Sequence, residues 1–342
     1  PYNSNVKRIK YHEITRRAIE EALNNPEDFD INLLQAQILR RIEDAWIGLP
    51  LSLIVQREFK KRWLSAGRVQ TPVLGWIVER TEDNKKHKVE LLTLKLENNL
   101  TLPSIRMPRG SAKKLKDKGK IKVVSIKIED KEINPPPPYT TDSMLTDATR
   151  ELKTTSEEIM KLAQDLFEVG FITYHRTDAT TVSAVGMNIA KQYLTKINKT
   201  ELYVGRPWTS EGAHECIRQT RPLSADELEL MVKSKLIPVQ IPIGKRHIDL
   251  YDLIFRRFIA SQMSSAIVRY ITSVIEILDT KHEFKFAINV IKHGFDLINP
   301  IRLNDANFEQ LKENTEYSII DIKKRIVGEK SLFNEADLIR LM

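Results

Sequence analysis

Residues 121–138 read Ile-Lys-Val-Val-Ser-Ile-Lys-Ile-Glu-Asp-Lys-Glu-Ile-Asn-Pro-Pro-Pro-Pro, and this stretch decides the domain organisation. Its first half alternates Lys or polar residues with Val and Ile, which is typical of a strand in a half-exposed sheet. The earlier stretch 89–96, VELLTLKL, has the same pattern. Four consecutive prolines then follow. Because proline can neither donate a hydrogen bond to a neighbouring strand nor continue a helix, they predict a stiff, extended linker between domains.

Helical patterns lie on both sides of this β-rich region. Residues 1–80 are predicted to be mostly helical, with Asn32 as the cap of a helix whose apolar residues recur at helical spacing. After the prolines, Thr141 or Asp142 is expected to cap a helix, and a second helix from about Ser156 ends at Gly170, a natural C-cap. Residues 250–263 indicate one more helix, and residues 269–278 and 283–291 return to strand alternation.

The order of these patterns predicts an α+β, multi-domain chain in which a helical domain interrupts a β-rich domain. The predicted units are a helical DNA-binding domain (1–82), two parts of a β-rich hinge domain (83–138 and 236–325), a helical domain between them (139–235) and the start of a further helical region (326–342). Asn334 is expected to begin a helix in this last part.

Charge points to a polyanionic partner. The 342 residues carry a net charge of +8, with a pI near 9.3, and a basic excess of this kind favours nucleic acid. The basic residues cluster in two places, and either cluster alone is also compatible with a solvated face. The clusters are Arg57, Lys60, Lys61, Arg62 and Arg68 in the first helical region, and Arg106, Arg109, Lys113, Lys114, Lys116, Lys118, Lys120 and Lys122 further on.

Two features of the composition indicate the cellular compartment. The single Cys216 excludes a disulfide framework within this chain, and no run of about 18 apolar residues predicts a membrane span. We therefore expect a cytoplasmic, nucleoid-associated protein with no membrane partner.

The chemically distinctive segment is Gly170-Phe-Ile-Thr-Tyr174-His-Arg176-Thr-Asp178. A tyrosine has an ordinary pKa near 10 and needs help to act as a nucleophile. An arginine two residues away on an extended segment points the same way, so both side chains can face one phosphate. Taken alone, however, a Tyr beside an Arg is more often a surface pair.

This segment resembles the active-site motif of type IA DNA topoisomerases, G-x-I-T-Y-x-R-T-D-S, with Ala179 in place of the usual serine. That departure puts one local hydroxyl hydrogen bond in doubt but not the nucleophile. Four further blocks resemble the same family in the same order. They are Arg8-Ile-Lys-Tyr-His-Glu-Ile-Thr15, Ser65-Ala-Gly-Arg-Val-Gln-Thr-Pro72, Ala163-Gln-Asp-Leu-Phe-Glu168 with the proline lead Pro137-Pro-Tyr-Thr-Thr141, and Glu211-Gly-Ala-His-Glu-Cys-Ile-Arg218. The spellings Tyr174-His-Arg176, Pro207-Trp208 and Arg221-Pro222 look most like reverse gyrases.

The resemblance implies a mechanism and its residues. Tyr174 would attack one strand to form a 5′-phosphotyrosyl intermediate within a toroidal fold, assisted by Arg176 and by His214, which would contact the phosphate or the departing 3′ oxygen. Glu211 and Glu215 flank His214 as supporting candidates at most. Arg68, Gln70, Ser65 and Arg8 would contact the single strand upstream of the cleaved bond.

The resemblance also implies parts that lie outside this sequence. The family holds Mg²⁺ in a Toprim domain, which precedes the first block, and reverse gyrases use ATP in a separate helicase-like module; the chain is thus expected to be a central fragment with both as partners. Asp28-Phe-Asp30 has the spelling of a carboxylate pair but lacks a presenting strand, so no metal site is predicted. Two alternatives stay open: an ordinary topoisomerase I or III that relaxes negative supercoils, and a single-strand-binding clamp that is catalytically silent by itself.

Overall fold

The computed structural model describes residues 6–210, 214–304 and 306–342. The first three residues of the histidine block, including Glu211, lie outside the described residues. No helix in the described ranges is long and apolar enough to cross a membrane.

The N-terminal part is helical, as predicted. Its helices are α1 (Arg16–Asn24), α2 (Ile31–Glu43), α3 (Leu49–Phe59) and α4 (Gln70–Lys86), with a π-helical turn at Asp44–Gly48. The cap predicted at Asn32 is wrong: α2 is capped by Asp30, whose Oδ1 accepts from the Leu33 N–H at 2.9 Å. A cap residue must reach a donor three residues on while itself lying outside the helix, and Asn32 is already within it. Asp28, the other carboxylate of that pair, forms an ion pair with Lys7.

Six strands form one antiparallel sheet in the described part of the chain. They are β1 (Lys88–Leu96), β2 (Ile105–Met107), β3 (Lys120–Ile133), β4 (Ala266–Ile277), β5 (Thr280–Lys292) and β6 (Thr315–Gly328), in the order β2-β1-β6-β3-β4-β5. β3 pairs with β4 along Lys122–Ile133 although the helical segment separates them in sequence. The sheet therefore takes strands from both sides of that segment, and the mixture of helices with this sheet confirms the α+β class. The boundaries proposed for the domains stay a prediction.

One face of the sheet carries an apolar core. Alternation along the strands buries side chains such as Leu92, Val123, Ile275 and Phe286, because successive residues of a strand point to opposite faces. A short helix, α5 (Ser111–Lys118), closes part of this core through Leu115.

The helical segment has its own core. Its helices are α6 (Thr141–Leu152), α7 (Ser156–Glu168), α8 (Ala184–Lys196), α9 (Ala225–Lys233) and α10 (Lys245–Ser261). Ile159, Leu166, Tyr251 and Phe258 are among its fully buried members. The core also includes Val268 of β4, so the helices rest on that side of the sheet. α11 (Glu335–Leu341) packs against α6, and its cap is Asn334, which confirms the predicted start.

The entry into the helical segment differs from prediction at one point. Thr140, not Thr141 or Asp142, caps α6: the Ser143 hydroxyl accepts from the Thr140 N–H at 2.9 Å in a reciprocal capping box. Thr141 instead turns its hydroxyl to the segment after Tyr174, which a cap could not do at the same time. The four prolines before it lie outside any helix or strand, and the Pro137 carbonyl accepts from Arg257 Nε at 2.6 Å.

Candidate active site

Gly170 fixes the direction in which the chain leaves α7. Its φ is +73°, a left-handed conformation that favours glycine after a helix end. A Cβ at this position would lie 2.4 Å from the carbonyl oxygen of Ile14. Glycine is therefore required twice, by the backbone conformation and by the close approach of the N-terminal segment.

The backbone around Tyr174 is held by three separate parts of the chain. On one side the Thr173 N–H donates to the Arg218 carbonyl at 2.9 Å, and the Thr173 hydroxyl donates to the Cys216 carbonyl at 2.7 Å. On the other side the Tyr174 N–H donates to the His12 carbonyl at 2.7 Å. The predicted nucleophile thus lies where its own helical segment, the histidine block and the N-terminal block meet.

The Tyr174 ring is half-buried between aromatic neighbours. It meets Phe167 edge to face with centroids 5.3 Å apart, and its centroid lies 6.0 Å from that of His214. The structure therefore brings together two of the three predicted catalytic side chains, Tyr174 and His214.

A second histidine joins them. The Nδ1 atoms of His12 and His214 are 3.4 Å apart, and their rings meet edge to face. Burial, followed by the proximity of His214 and Lys10, lowers the pKa of His12, so its ring is neutral at neutral pH. A neutral imidazole has one donor and one acceptor nitrogen, which suits proton exchange with a neighbour. The sequence reasoning quoted His12 within a block but did not assign it to the site.

Arg176 follows after a bend in the chain at His175 and Arg176. Its side chain is exposed, forms no ion pair or hydrogen bond with the described residues, and lines an open cavity with Asp142 and Asp178. Thr141 supports the same segment, since its hydroxyl donates to the Thr177 carbonyl at 3.0 Å and accepts from the Thr177 N–H at 2.8 Å. Because of the bend, alternation along an extended strand does not set the direction of Arg176, and its grip on the same phosphate as Tyr174 stays a prediction.

Behind Tyr174 lies a buried ion network that sequence reasoning missed. Arg218, 1% exposed, donates from Nε to Glu215 at 2.6 Å and from Nη2 to Glu13 at 3.2 Å. Burial disfavours the charge on Glu215, but Arg218 outweighs it and holds the pKa of that carboxyl below its usual range. The Ser183 N–H also donates to Glu215, at 3.0 Å. Glu13 thus joins the N-terminal segment to the histidine block by charge.

The network leaves no room for a larger residue at Gly186. A Cβ there would lie 2.7 Å from Arg218 Nε. Beside the network a cavity of about 410 Å³ opens between α1 and α8, and its lining includes Lys10, His12 and Arg17.

His175 is buried next to Tyr174 without a polar partner. Neither ring nitrogen has a hydrogen-bond partner among the described residues, and the side chain contacts the rings of Phe167 and Tyr174. Burial, together with the nearby Arg176 charge, lowers its pKa to about 4. Ala179, where the family usually has serine, is also fully buried.

The predicted strand-binding residues lie in the N-terminal part, mostly between its helices: Ser65 and Arg68 connect α3 to α4, Gln70 begins α4, and Arg8 precedes α1. Ser65, Arg68 and Gln70 cluster where α4 begins, and the Ser65 hydroxyl is 3.1 Å from Gln70 Oε1. Arg68 is shared between Glu43 and Asp44, at 3.5 and 3.3 Å, so a phosphate would have to replace these carboxylates. Arg8 lies apart from them, paired through its backbone with Glu27.

Comparison with known proteins finds relatives over most or all of the chain. A family model described as DNA topoisomerase matches residues 28–342. The chain is 42% identical to the reverse gyrase of Pyrococcus furiosus over 342 residues, covering 100% of this chain and 27% of that protein. It is 45% identical to reverse gyrase 1 of Sulfurisphaera tokodaii, covering 94% of this chain and 28% of that protein.

A solved structure gives the same answer. Full-length topoisomerase I from Thermotoga maritima matches with a TM-score of 0.73 and 28% identity, covering 98% of this chain and 57% of that one. The chain therefore spans about a quarter of the length of the curated relatives it matches and just over half of the solved one. The segment Gly170–Asp178, the sheet with a helical segment between its strands and these matches together show that the chain belongs to the type IA DNA topoisomerase family.

Proposed function

We propose that this chain cleaves and rejoins one DNA strand with Tyr174 as the nucleophile. The Tyr174 oxygen attacks a phosphorus atom, its proton passes to an acceptor, and the bond from phosphorus to the 3′ oxygen breaks. The departing 3′ oxygen takes up one proton, so that a 5′-phosphotyrosyl ester and a free 3′-hydroxyl result, and the reverse step restores the strand without ATP. The observation that carries this proposal is the place of Tyr174, fixed through backbone bonds to both the N-terminal segment and the histidine block.

The neighbouring side chains divide the remaining work. The His12–His214 pair, with Nδ1 atoms 3.4 Å apart, offers an acceptor and a donor in contact, which suits one proton moving from the phenol side towards the departing 3′ oxygen. Arg176, unpaired within the described residues, is free to grip the phosphate and offset its developing charge. The exposed cluster Ser65, Arg68 and Gln70, together with Arg8, positions the single strand by contacts to its backbone.

The described residues do not fit a magnesium site. No group of three or more His, Cys, Asp or Glu that could hold a metal is found among them, Asp30 caps α2 and Asp28 is paired with Lys7. We therefore assign Mg²⁺ to a Toprim domain as partner and not to this chain. The same proposal assigns ATP to a helicase-like module.

Within the family we favour the topoisomerase module of a reverse gyrase. The identity of 42–45% to reverse gyrases over nearly the whole chain exceeds the 28% to a topoisomerase I. In that role the chain would act on DNA in the cytoplasm as part of an enzyme that introduces positive supercoils. Positive supercoils formed with ATP by the complete protein would support this choice, and relaxation alone would favour a topoisomerase I or III.

The nucleophile is tested by Tyr174→Phe, which removes one oxygen and no charge. The chain, a Toprim-containing polypeptide from a relative and Mg²⁺ are incubated with an end-labelled single strand, and covalent adduct is read on a denaturing gel. We expect adduct with the unaltered chain and none with Tyr174→Phe, while strand binding changes little. Tyr270→Phe, in the sheet, is the matched control and should form normal adduct. Normal adduct from Tyr174→Phe would mean that another tyrosine is the nucleophile, and efficient cleavage by the chain alone would contradict the need for the added domain.

A further inference from the structure

Nearly all of the net charge of the chain comes from one short stretch. Residues 106–122 contain eight of the 54 basic residues and one of the 46 acidic residues, a formal charge of +7 out of +8. The rest of the sequence is close to neutral.

Three of the lysines are matched by acidic neighbours on the sheet. Lys118 and Lys120 lie 3.2 Å from the carboxylates of Asp279 and Glu316. Lys122 on β3 is in register with Glu316 on one neighbouring strand and with a second glutamate on the other. Lys118 and Lys120 are thus paired within the fold, and Lys122 lies between two glutamates of the neighbouring strands.

The lysines on the outer surface of α5 differ from these. Lys113, Lys114 and Lys116 are exposed and form no ion pair or hydrogen bond within the described ranges. The positions of Lys113 and Lys114 also oppose helix stability: the first turn of α5 has no acidic residue, so both face the positive end of the helix dipole, and Lys113 repels Lys116 one turn on. Lys116 itself lies in the last turn, where the dipole favours a cation. Stability of the helix therefore does not explain Lys113 and Lys114.

The fold nevertheless holds α5 firmly. Glu90 of β1, 4% exposed, accepts from the N–H groups of Gly110 and Ala112 at 3.1 and 2.8 Å. These two bonds are the main reason why the pKa of Glu90 is lowered. Leu115, fully buried, anchors the other end of the helix in the core of the sheet. A buried carboxylate thus holds an otherwise unfavourable helix with its lysines turned to solvent.

We infer that Lys113, Lys114 and Lys116 of α5 form a second DNA contact, which binds the phosphate backbone of duplex DNA. Residues 106–122 contain no aromatic side chain on which an unpaired base could stack. Three point charges fixed on a convex helix suit instead the dense phosphates of a duplex, about one charge per 1.7 Å of axis. The other basic cluster differs, since it carries Trp63, 75% exposed, with Lys61 Nζ 5.5 Å from its ring.

The contact is separate from the tyrosine site. α5 packs on β1 and β6, whereas the helical core that carries Tyr174 includes Val268 of β4. The inference rests on the proposed function in one respect: a topoisomerase must hold duplex DNA beside the strand that it opens. It assigns that holding to a surface outside the cleavage site.

The test compares two triple variants that remove the same charge. One is Lys113→Gln, Lys114→Gln, Lys116→Gln, and the control is Lys118→Gln, Lys120→Gln, Lys122→Gln. Binding of the chain to a short blunt duplex is measured by fluorescence anisotropy at several salt concentrations. Each lost phosphate contact lowers the slope of log K against log salt by about 0.9. We expect the slope to fall by about 2 to 3 for the α5 variant and by less than about 1 for the control.

Other outcomes would overturn the inference. Equal changes of the slope in both variants would indicate a general effect of net charge. An unchanged slope in the α5 variant would show that the lysines of α5 do not contact duplex DNA. Loss of binding to polyglutamate with duplex binding intact would assign the surface to an acidic protein. Thermal melting shows whether both variants are folded. Adduct formation on a short single strand tests the proposed function separately, and the α5 variant should retain it. If the unaltered chain forms no adduct, the proposed function is refuted, while the salt dependence of duplex binding still decides the inference about α5.

Discussion

Replacing Glu13 by Gln tests whether the buried ion network positions Tyr174. The variant removes one negative charge from a carboxylate that is 6% exposed and lies 3.2 Å from Arg218. Removing one partner of a buried ion pair destabilises by about 3–5 kcal/mol, and a hydrogen bond to a charged group contributes about 1.5–3 kcal/mol. Arg218 keeps its shorter bonds to Glu215, at 2.6 and 2.8 Å, so we expect about 2 kcal/mol.

This loss should fall mainly on the docking of the N-terminal segment. The Tyr174 N–H donates to the His12 carbonyl, one residue before Glu13, and therefore reports on that docking directly. A loss of about 2 kcal/mol corresponds to roughly 30-fold, since each 1.4 kcal/mol is a factor of ten. Hydrogen exchange of the Tyr174 amide should accelerate by about that factor, and adduct formation should fall because the nucleophile is no longer held in place.

Glu21→Gln is the matched control. Glu21 also pairs with an arginine, at 3.0 Å from Arg17, but its side chain is 66% exposed. Exposed pairs of this kind contribute about 0–1 kcal/mol, so Tyr174 exchange should hardly change. Equal acceleration in both variants, or an unchanged Tyr174 amide in Glu13→Gln, would refute the positioning role of the network.

Three further predictions concern single side chains. Arg176→Lys should lower cleavage more than about tenfold with strand binding intact, because an ammonium cannot grip a phosphate at two points; near-normal adduct yield would leave Arg176 a structural role. Arg68→Ala should lower the slope of log K against log salt for a single strand by about one, as one phosphate contact is lost; Arg16→Ala, on α1, is the control, and an unchanged slope would exclude Arg68 from the contact. His175→Leu should flatten the acid side of the stability profile. The pKa of His175 is about 4 in the fold and near 6.5 unfolded, so as pH falls from 6.5 to 4 the unfolded chain binds the proton first and stability drops, by at most about 3 kcal/mol. His12 causes part of the same drop in stability. Denaturant unfolding at pH 7 and pH 4.5 measures the stability lost by the unaltered chain and by His175→Leu; equal losses in the two would contradict the assignment to His175.

The elements could be predicted because their signals are local. Alternation along residues 121–133 and 269–278 depends only on successive side chains facing opposite sides of a sheet, and both stretches are strands. Caps are harder, since Thr140, Thr141 and Asp142 are all suitable residues and only the tertiary position of Thr141, bonded to Thr177, decides among them. The order of the patterns predicts that the chain returns to the same β-rich domain, but periodicity does not contain the choice of partner, here β3 with β4.

In the candidate site, too, local motifs could be predicted from the sequence, whereas contacts between distant segments could not. Tyr174 was identified from one short motif, yet its position depends on Glu13 and Arg218, which are 205 residues apart in sequence. Each of these residues lies in a block that resembles the family, but nothing within either block indicates that a carboxylate of one completes the charge of an arginine in the other. A buried arginine needs carboxylates or other hydrogen-bond acceptors in place of the water that it has lost. Glu215 satisfies part of that need from within its own block, and Glu13 supplies the rest from the N-terminal segment. Any movement that carries Tyr174 away from that segment must therefore expose or re-pair Arg218, which makes the Glu13–Arg218 contact a barrier to moving the nucleophile as well as a means of holding it.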